Sequence, residues 1–489
     1  MTIELFKQDF KLYASAHQSH LDYRVEVPAG VQQLKVLFDY QPLLETKLEA
    51  LERAFLKEGL PAELAQDQDG FRNLLTITIQ DNQGFRGAHH YFNTQQEIIL
   101  APDQASLGFR PDPIDAGIWT FTISCHGLFS DFVTGSLRVL ADFSFDQAKS
   151  QPQPLTSVVP LAQPAKNRPL SDPQARFYKT ELHSHTLHSD AQQSTEYLLQ
   201  QAQEQGIDWL AITDHNTTTA HDEAAAHHNY DTQVHLIPGM EYTSFHGHML
   251  IHGAYNDIVR NWTELNPYNI DQITEELQAQ GLNVTVAHPF VEGNPYCTGC
   301  RWDYLLHDLK YVDTLEVWNR QNPNNYAYNQ AGFAKWLDFL AMGYEINAST
   351  GRDWHTPAAS EDQLAYTYVL APQEADLDQI LQALKLGRTY ISLGPLIASC
   401  ILDGKYQLGD RVPLKQDSYN LLVNINELQA ADKVLIYGRQ NLLKEIHCHQ
   451  AGSFEIKETL QLEQESLLRI EVRDQAGKLK LFTNPIYIG

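Results

Sequence analysis

The sequence predicts an α/β domain, built as a parallel sheet or β/α barrel, set between two β domains. Three observations predict it. Between residues 175 and 395, apolar strand-like runs alternate with amphipathic helical ones, the pattern of parallel sheets and barrels. On either side, over residues 1–149 and 396–489, short strand-like runs are separated by turn residues, as in antiparallel sandwiches. Between the first two regions, residues 150–174 carry prolines at 152, 154, 160, 164, 169 and 173 among Gln, Ser and Ala, with no periodicity, and read as a linker.

In the first region the strand-like runs are Tyr23 to Val27, Leu34 to Phe38, Leu74 to Ile79, Gly117 to Ile123 and Gly135 to Leu140. A helix is expected over Leu43 to Glu58, where apolar residues recur at helical spacing. In the central region strands are expected at Asp208 to Thr213, Val234 to Pro238, Met249 to Ala254, Asn283 to Ala287, Thr314 to Val317 and Tyr344 to Ser349. Helices fit at Thr195 to Gln205, Asp271 to Gln280, Gln330 to Met342 and Leu377 to Leu386. The last region returns to strands at Leu421 to Ile425, Val434 to Tyr437 and Leu468 to Val472, which predicts a second small β domain.

Composition narrows the function. With 43% hydrophobic and 20% charged residues in 489, the chain is that of a folded globular protein. A formal charge of −26, from 61 acidic and 35 basic residues, opposes duplex nucleic acid and favours a small molecule or at most a short oligonucleotide end as partner. No apolar run is long enough to span a bilayer, and the start MTIELFKQDF lacks a basic stretch followed by an apolar one, so a cytoplasmic protein is expected. The sequence does not fix an oligomeric state. Five cysteines, mostly isolated, fit a reducing compartment without a disulfide framework. Cys297 and Cys300 form a C-x-x-C without a second pair nearby and read as two ordinary loop thiols.

Fourteen of the 21 histidines fall between His183 and His355. In the run from Glu181 to Asp190, His183 and His185 stand two apart, so extended backbone projects both imidazoles from one face, where they can share a metal. Other candidates follow hydrophobic strands, where a barrel places its functional groups. Trp209 to Thr213 leads to Asp214-His215-Asn216, Leu236 to Met240 to Glu241, Val284 to Ala287 to His288, and Ile346 to Thr350 to Asp353 and His355. His248 differs by opening its strand, and His246 and His252 beside it compete for the same role. His188, His221, His227, His228, His235 and His307 read as surface or core residues, with His188 and His221 near enough to line a pocket. Asp214 reads as a support for His215 or a loop. Glu316 and Asn319, at the functional end of a strand, fit a substrate contact or a supporting role equally well.

These residues resemble the PHP (polymerase and histidinol phosphatase) family over about Thr180 to Leu393. The likeness lies in H-x-H-T-x-x-S-D at His183 to Asp190, T-D-H at Thr213 to His215, G-x-E at Gly239 to Glu241, A-H-P at Ala287 to Pro289 and the terminal D-x-H. The CehA/McbA-type metallohydrolase branch is similar at Asp214-His215-Asn216 and at Glu316-Val317-Trp318-Asn319. The resemblance implies a distorted (β/α)7 barrel with two or three divalent metals. It implies His183, His185, Glu241 and Asp353 around one metal, Glu241 bridging to a second held by His248 and His288, and Asp190, His215 and His355 at a third. Imidazole and carboxylate donors suit Zn²⁺, Mn²⁺ or Fe²⁺.

Such a centre lowers the pKa of bound water from about 15.7 towards 7 and also binds the substrate oxygen. A metal-dependent phosphoesterase is therefore expected, with Arg352 and Arg301 as candidate phosphate forks and His188 as a further catalytic candidate. The same centre can hydrolyse a carboxyl ester or carbamate. A third reading makes the flanking β domains a carbohydrate- or protein-binding module and the metal site structural.

Overall fold

The computed structural model describes residues 1–144, 170, 172, 174–226, 233–254, 261–305, 309–359, 361–414, 418–461 and 466–489. Nearly all of the expected linker, and His227, His228 and His307, lie outside these residues.

The first region holds two four-stranded antiparallel sheets. One joins Thr2–Tyr13, Phe132–Asp142, Gln33–Gln41 and Gln95–Leu100, and the other joins Ser19–Val27, Gly117–Gly127, Leu74–Gln80 and Phe85–His89. Alternation explains the packing: in Gln33–Gln41, Leu34, Val36, Phe38 and Tyr40 are buried while their neighbours are not. They share one core with Trp119, Phe121 and Ile123, each large side chain contributing roughly 1.5–3 kcal/mol by leaving water. The helix expected from Leu43 begins only at Leu48 and runs to Lys57. Leu44–Glu45 is instead a short strand against Phe71–Arg72, and the buried Glu45 carboxylate accepts from the backbone N–H groups of Thr46 and Lys47 just ahead of the helix.

The central region follows the predicted alternation in part: β1 (Arg176–Glu181), α1 (Thr195–Glu204), β2 (Trp209–Ile212), α2 (Thr219–Ala226), β3 (His235–Thr243), β4 (His248–His252), α3 (Ile270–Ala279), β5 (Asn283–Val286), β6 (Thr314–Asn319), α4 (Ala327–Ala341), β7 (Asn347–Gly351), β8 (Tyr366–Ala371), α5 (Leu377–Leu386) and β9 (Thr389–Ser392), with no α-helix among the described residues between β3 and β4, β5 and β6, or β7 and β8. Helix boundaries have local causes. In α5, Asp376 and Gln379 form a reciprocal cap at the start, and Gly387 ends the helix at φ +72°, a conformation glycine adopts without a Cβ penalty.

The sheet order is β7-β6-β5-β4-β3-β2-β1-β8-β9, and the fold is mixed α/β rather than all parallel. Strand β4 is antiparallel to both neighbours. The cause is the connection from β3, only Ser244 to Gly247, closed by the Ser244 N–H and hydroxyl on the Gly247 carbonyl at 3.3 and 2.8 Å. A turn this short makes a hairpin and excludes a crossover helix. The closed seven-stranded barrel that the resemblance implies is not seen. Strand β7 ends the sheet order, and one parallel bridge, Ser184 with Trp354, joins the segments that follow β1 and β7.

Past β9 the same sheet continues into β10 (Leu479–Thr483), then Leu467–Arg473, Lys433–Tyr437 and Leu442–His447. A three-stranded sheet of Leu396–Leu402, Tyr419–Leu428 and Gly452–Leu460 packs on it through Val423, Ile425, Val434 and Ile470. No helix among the described residues is long and apolar enough to cross a membrane.

Cys297 and Cys300, expected as separate thiols, are joined as a disulfide with Cα atoms 5.5 Å apart. The turn that brings them together has Gly299 at φ +79°, where a Cβ would strike the Ser244 carbonyl at 2.2 Å.

Candidate metal centre

The nine residues singled out as metal ligands converge at one edge of the sheet. His183 and His185 follow β1, His215 follows β2, Glu241 lies near the end of β3, His288 follows β5, and Asp353 and His355 follow β7. Asp190 comes from the loop after β1. His248 reaches the same edge because β4 is reversed: its first residue lies opposite Thr243, the last residue of β3. Of its rivals, His252 is buried with Nε2 2.9 Å from the Leu182 carbonyl, and His246 packs against Tyr304.

Four overlapping groups place donor atoms close enough to hold metal ions: His183, His185, Glu241 and Asp353; His185, Asp190, His215 and His355; His215, Glu241 and His248; and His183, His288 and Glu316. Glu241 is their hub. Its Oε1 lies 3.1 Å from His248 Nδ1, 3.2 Å from His288 Nε2 and 3.4 Å from His183 Nε2. Its Oε2 lies 2.8 Å from His215 Nδ1 and 3.6 Å from His185 Nε2. Asp353 Oδ1 stands 3.1 Å from His185 Nε2 and 3.4 Å from His183 Nε2, and Asp190 Oδ1 lies 3.0 Å from His355 and 3.3 Å from His215.

The residues present fit a cationic guest. His183 Nε2, His185 Nε2, Glu241 Oε2 and Asp353 Oδ1 are buried donor atoms without a hydrogen-bond partner, and all belong to one of the four groups. Leaving such atoms unpaired costs roughly 1–3 kcal/mol each, more for a charged group, unless something is bound. The electrostatics agree. Burial pushes the Glu241 carboxyl up, but His183, His248 and His215 outweigh it and hold it well below the usual range. Burial likewise opposes charge on Asp190, and His215 and His355 overcome it. Burial disfavours the charged His355 ring, yet Asp353 and Asp190 raise its pKa to about 9. Three buried carboxylates, Asp190, Glu241 and Asp353, thus demand positive charge from protons or from metals.

Supporting side chains fix the donors. Glu316 Oε1 lies 3.0 Å from His183 Nδ1, and its Oε2 accepts from the His288 N–H at 2.9 Å and from Asn319 at 3.2 Å. A proton held on His183 Nδ1 leaves Nε2 free as a donor to metal. Asp214 accepts from the Thr186 N–H and hydroxyl, both at 2.7 Å, and from the Ser189 hydroxyl at 2.6 Å, so it shapes the loop carrying Asp190. Asn216 pins β3 by exchanging hydrogen bonds with the Thr243 backbone at 2.9 and 3.0 Å. Asn216, His288 and Asp353 all have positive φ, at 56°, 25° and 52°. Strained backbone of this kind persists where its surroundings over-determine it, and it clusters at functional sites.

Of the three candidates outside the ligand set, Arg301 and His188 do not line the cleft. Arg352 borders the cleft, but its Nε donates to the buried Glu181 at 2.6 Å, its Nη1 to Gln205 at 2.9 Å, and its guanidinium lies 3.6 Å from the Trp354 ring centroid. It serves the β1 end as a buried ion pair. Arg301 is exposed and paired with Asp303 at 2.8 Å. His188 is buried between Thr219, at 2.7 Å, and Glu223. The sequence reading also missed Glu316 as a member of a donor group and His90, which arrives from the first region.

The centre opens into a cleft of about 860 Å³, lined by Asp190, His215, His248, His288, Asp353 and His355 together with Arg72, His90, Phe92 and Phe129 of the first region. A buried set of imidazoles and carboxylates at the carboxyl edge of a mixed sheet, opening on such a cleft, defines a candidate multinuclear metal protein. Residues 181–287 match the family model of the PHP domain.

Two of the similar solved structures are as follows. One is a two-domain protein from Bacteroides vulgatus containing a predicted PHP-like metal-dependent phosphoesterase, 16% identical, covering 66% of this chain and 98% of its own, with a TM-score of 0.40. The other is a candidate metal-dependent phosphoesterase from Bifidobacterium adolescentis, also 16% identical, covering 40% of this chain and 93% of its own, with a TM-score of 0.27. No curated protein matches.

Proposed function

We infer that the protein is a metal-dependent hydrolase acting on phosphoesters. The observation that carries this reading is Glu241, whose two oxygens face two different sets of imidazoles inside one buried, cleft-facing cluster. That arrangement suits a carboxylate bridging two cations. The PHP match over residues 181–287 supports it, and so does Arg320, which lines the cleft and has no carboxylate partner among the described residues to cancel its attraction for an anionic substrate.

His183, His185, Glu241 and Asp353 would hold one ion, Glu241 with His248 and His288 a second, and Asp190, His215 and His355 a third, with Zn²⁺, Mn²⁺ or Fe²⁺ suited to the donors. When bound, divalent cations supply Lewis acidity, polarising a phosphoryl oxygen and activating water at neutral pH. The chain contributes the rest. Glu316 holds the His183 tautomer, Asp214 and Asn216 hold the loops, and the buried cluster restricts solvent to the cleft. Asp190 and His355 line the cleft, so an ion held there would face the substrate directly. Hydrolysis adds the water oxygen to phosphorus, breaks the P–O ester bond, and returns a proton to the departing alkoxide.

A second reading has its own observation. Phe71, Phe92, Phe129, Tyr296 and Tyr326 also line the cleft and would suit a neutral aryl carboxylester or carbamate. Screening the metal-loaded protein against phosphomonoesters, phosphodiesters and carboxyl esters separates the two. Phosphoester turnover that stops on chelation and returns with the metal is expected; turnover of carboxyl esters alone would refute the reading.

A further inference from the structure

The first region supplies a wall of this cleft with chemistry of its own. Strand Phe85–His89 runs on into His90, and His89 and His90 find different surroundings. His89 Nδ1 lies 3.0 Å from Gln96 Oε1 and its Nε2 2.7 Å from the Leu107 carbonyl. His90 has its ring 4.7 Å from that of His215, is 5% exposed, is one of the residues lining the cleft, and has a buried Nδ1 without a hydrogen-bond partner. The loop is tied to the central domain, since the Tyr91 hydroxyl donates to the Leu187 carbonyl at 2.5 Å. One residue further, the Phe92 ring carries the Arg72 guanidinium 4.0 Å from its centroid.

Arg72 is exposed in the cleft wall, and among the described residues it has no carboxylate partner. In a chain with 61 acidic and 35 basic residues this is informative. Arg86, Arg352, Arg388 and Arg469 are each buried against a carboxylate. Arg72 is instead oriented by an aromatic face, which leaves its N–H fork available to an anion. The metals would meet the charge of the scissile phosphoryl group, so a further cation in the cleft wall, outside the ligand set, calls for a second negative group on the substrate.

We propose that the first domain is a working part of the active site: Arg72, seated on Phe92, binds a carboxylate or phosphate carried by the leaving group, and His90 hydrogen-bonds the substrate beside His215. The inference rests on the phosphoesterase reading. It names the substrate class as phosphoesters with a second anionic group.

The test uses the full-length, metal-loaded protein and matched pairs of probes: glycerol 1-phosphate against 3-phosphoglycerate, which adds a carboxylate, and fructose 6-phosphate against fructose 1,6-bisphosphate, which adds a phosphate. A charge-assisted fork predicts a KM roughly tenfold lower for the doubly anionic member of at least one pair. Arg72→Ala should abolish that advantage with kcat little changed, and Arg72→Lys should restore part of it. His90→Ala should raise KM for both members of each pair alike and weaken competitive inhibition by inorganic phosphate. Turnover of the probes with a KM ratio unchanged by Arg72→Ala would overturn the subsite alone. No turnover of any probe by the wild type would overturn the phosphoesterase reading, and the subsite with it.

Discussion

Glu316→Gln tests whether an outer carboxylate sets the state of the centre. Glu316 is 2% exposed, and both of its oxygens are used: Oε1 faces His183 Nδ1 at 3.0 Å, and Oε2 accepts from the His288 N–H at 2.9 Å. A glutamine has the same shape but only one acceptor end. Its amide NH₂ must therefore face either the His183 ring or the His288 N–H, both of which need an acceptor. Losing a charge-assisted bond and confronting two donors should cost roughly 1.5–3 kcal/mol, about ten- to hundredfold in metal affinity, the range typical of outer carboxylates on metal-bound histidine. Chelator competition on wild type and variant measures this directly, with thermal unfolding of the metal-free proteins as the check on folding. An affinity within about twofold of wild type would refute the argument that Glu316 holds the His183 tautomer. Loss of one whole metal equivalent would show that Glu316 is itself a ligand, as its membership of the His183 and His288 group also allows.

Three further outcomes follow from the packing and the charges. Arg352→Ala leaves Glu181 charged at 1% side-chain exposure, so urea unfolding should show a loss of about 3–5 kcal/mol, whereas a loss under about 1 kcal/mol would deny the buried pair. Gly351→Ala would place a Cβ 2.3 Å from His183 Cβ and 2.7 Å from Glu316 Oε1, so weaker metal binding by tenfold or more is expected, and unchanged binding would contradict that contact. Burial lowers the His89 pKa from 6.5 to about 4. Between those values the unfolded chain binds the extra proton, so stability is fully present above about pH 6.5 and falls as pH drops towards 4, by on the order of 3 kcal/mol. Urea titrations from pH 7 to 4.5 should show a slope that His89→Gln reduces by this contribution, leaving those of His17, His20, His90 and His252, which burial also holds below 6.5.

Much of the candidate cluster was legible because most of its residues obey a local rule. The pair at His183 and His185 shares one face by spacing alone, and His215, His288 and Asp353 each follow an apolar strand. Placing His248 depended on β4 being reversed, a consequence of the four-residue Ser244 to Gly247 turn that a strand count does not reveal. Arg352 looked like a phosphate fork because it sits inside the D-x-H motif, but its partner Glu181 lies 171 residues away in sequence, and such a pairing leaves no local trace. His90 and Arg72 escaped for the same reason: they lie in the first region, far away in sequence, and only tertiary packing brings them to the cleft. The alternation that predicted β/α units did not distinguish a closed barrel from an open mixed sheet, since both use the same repeating unit.

The cluster around Glu241 is expected to bind a multinuclear divalent metal centre. Metal content per chain, measured on the full-length protein after removal and resupply of Zn²⁺, Mn²⁺ or Fe²⁺, tests it most directly, with His183→Ala, Glu241→Ala as the paired variant. Two or three tightly held ions in the wild type, falling to one or none in the variant, is the predicted result. Only weakly held, substoichiometric metal in the wild type, or equal content in both proteins, would contradict it.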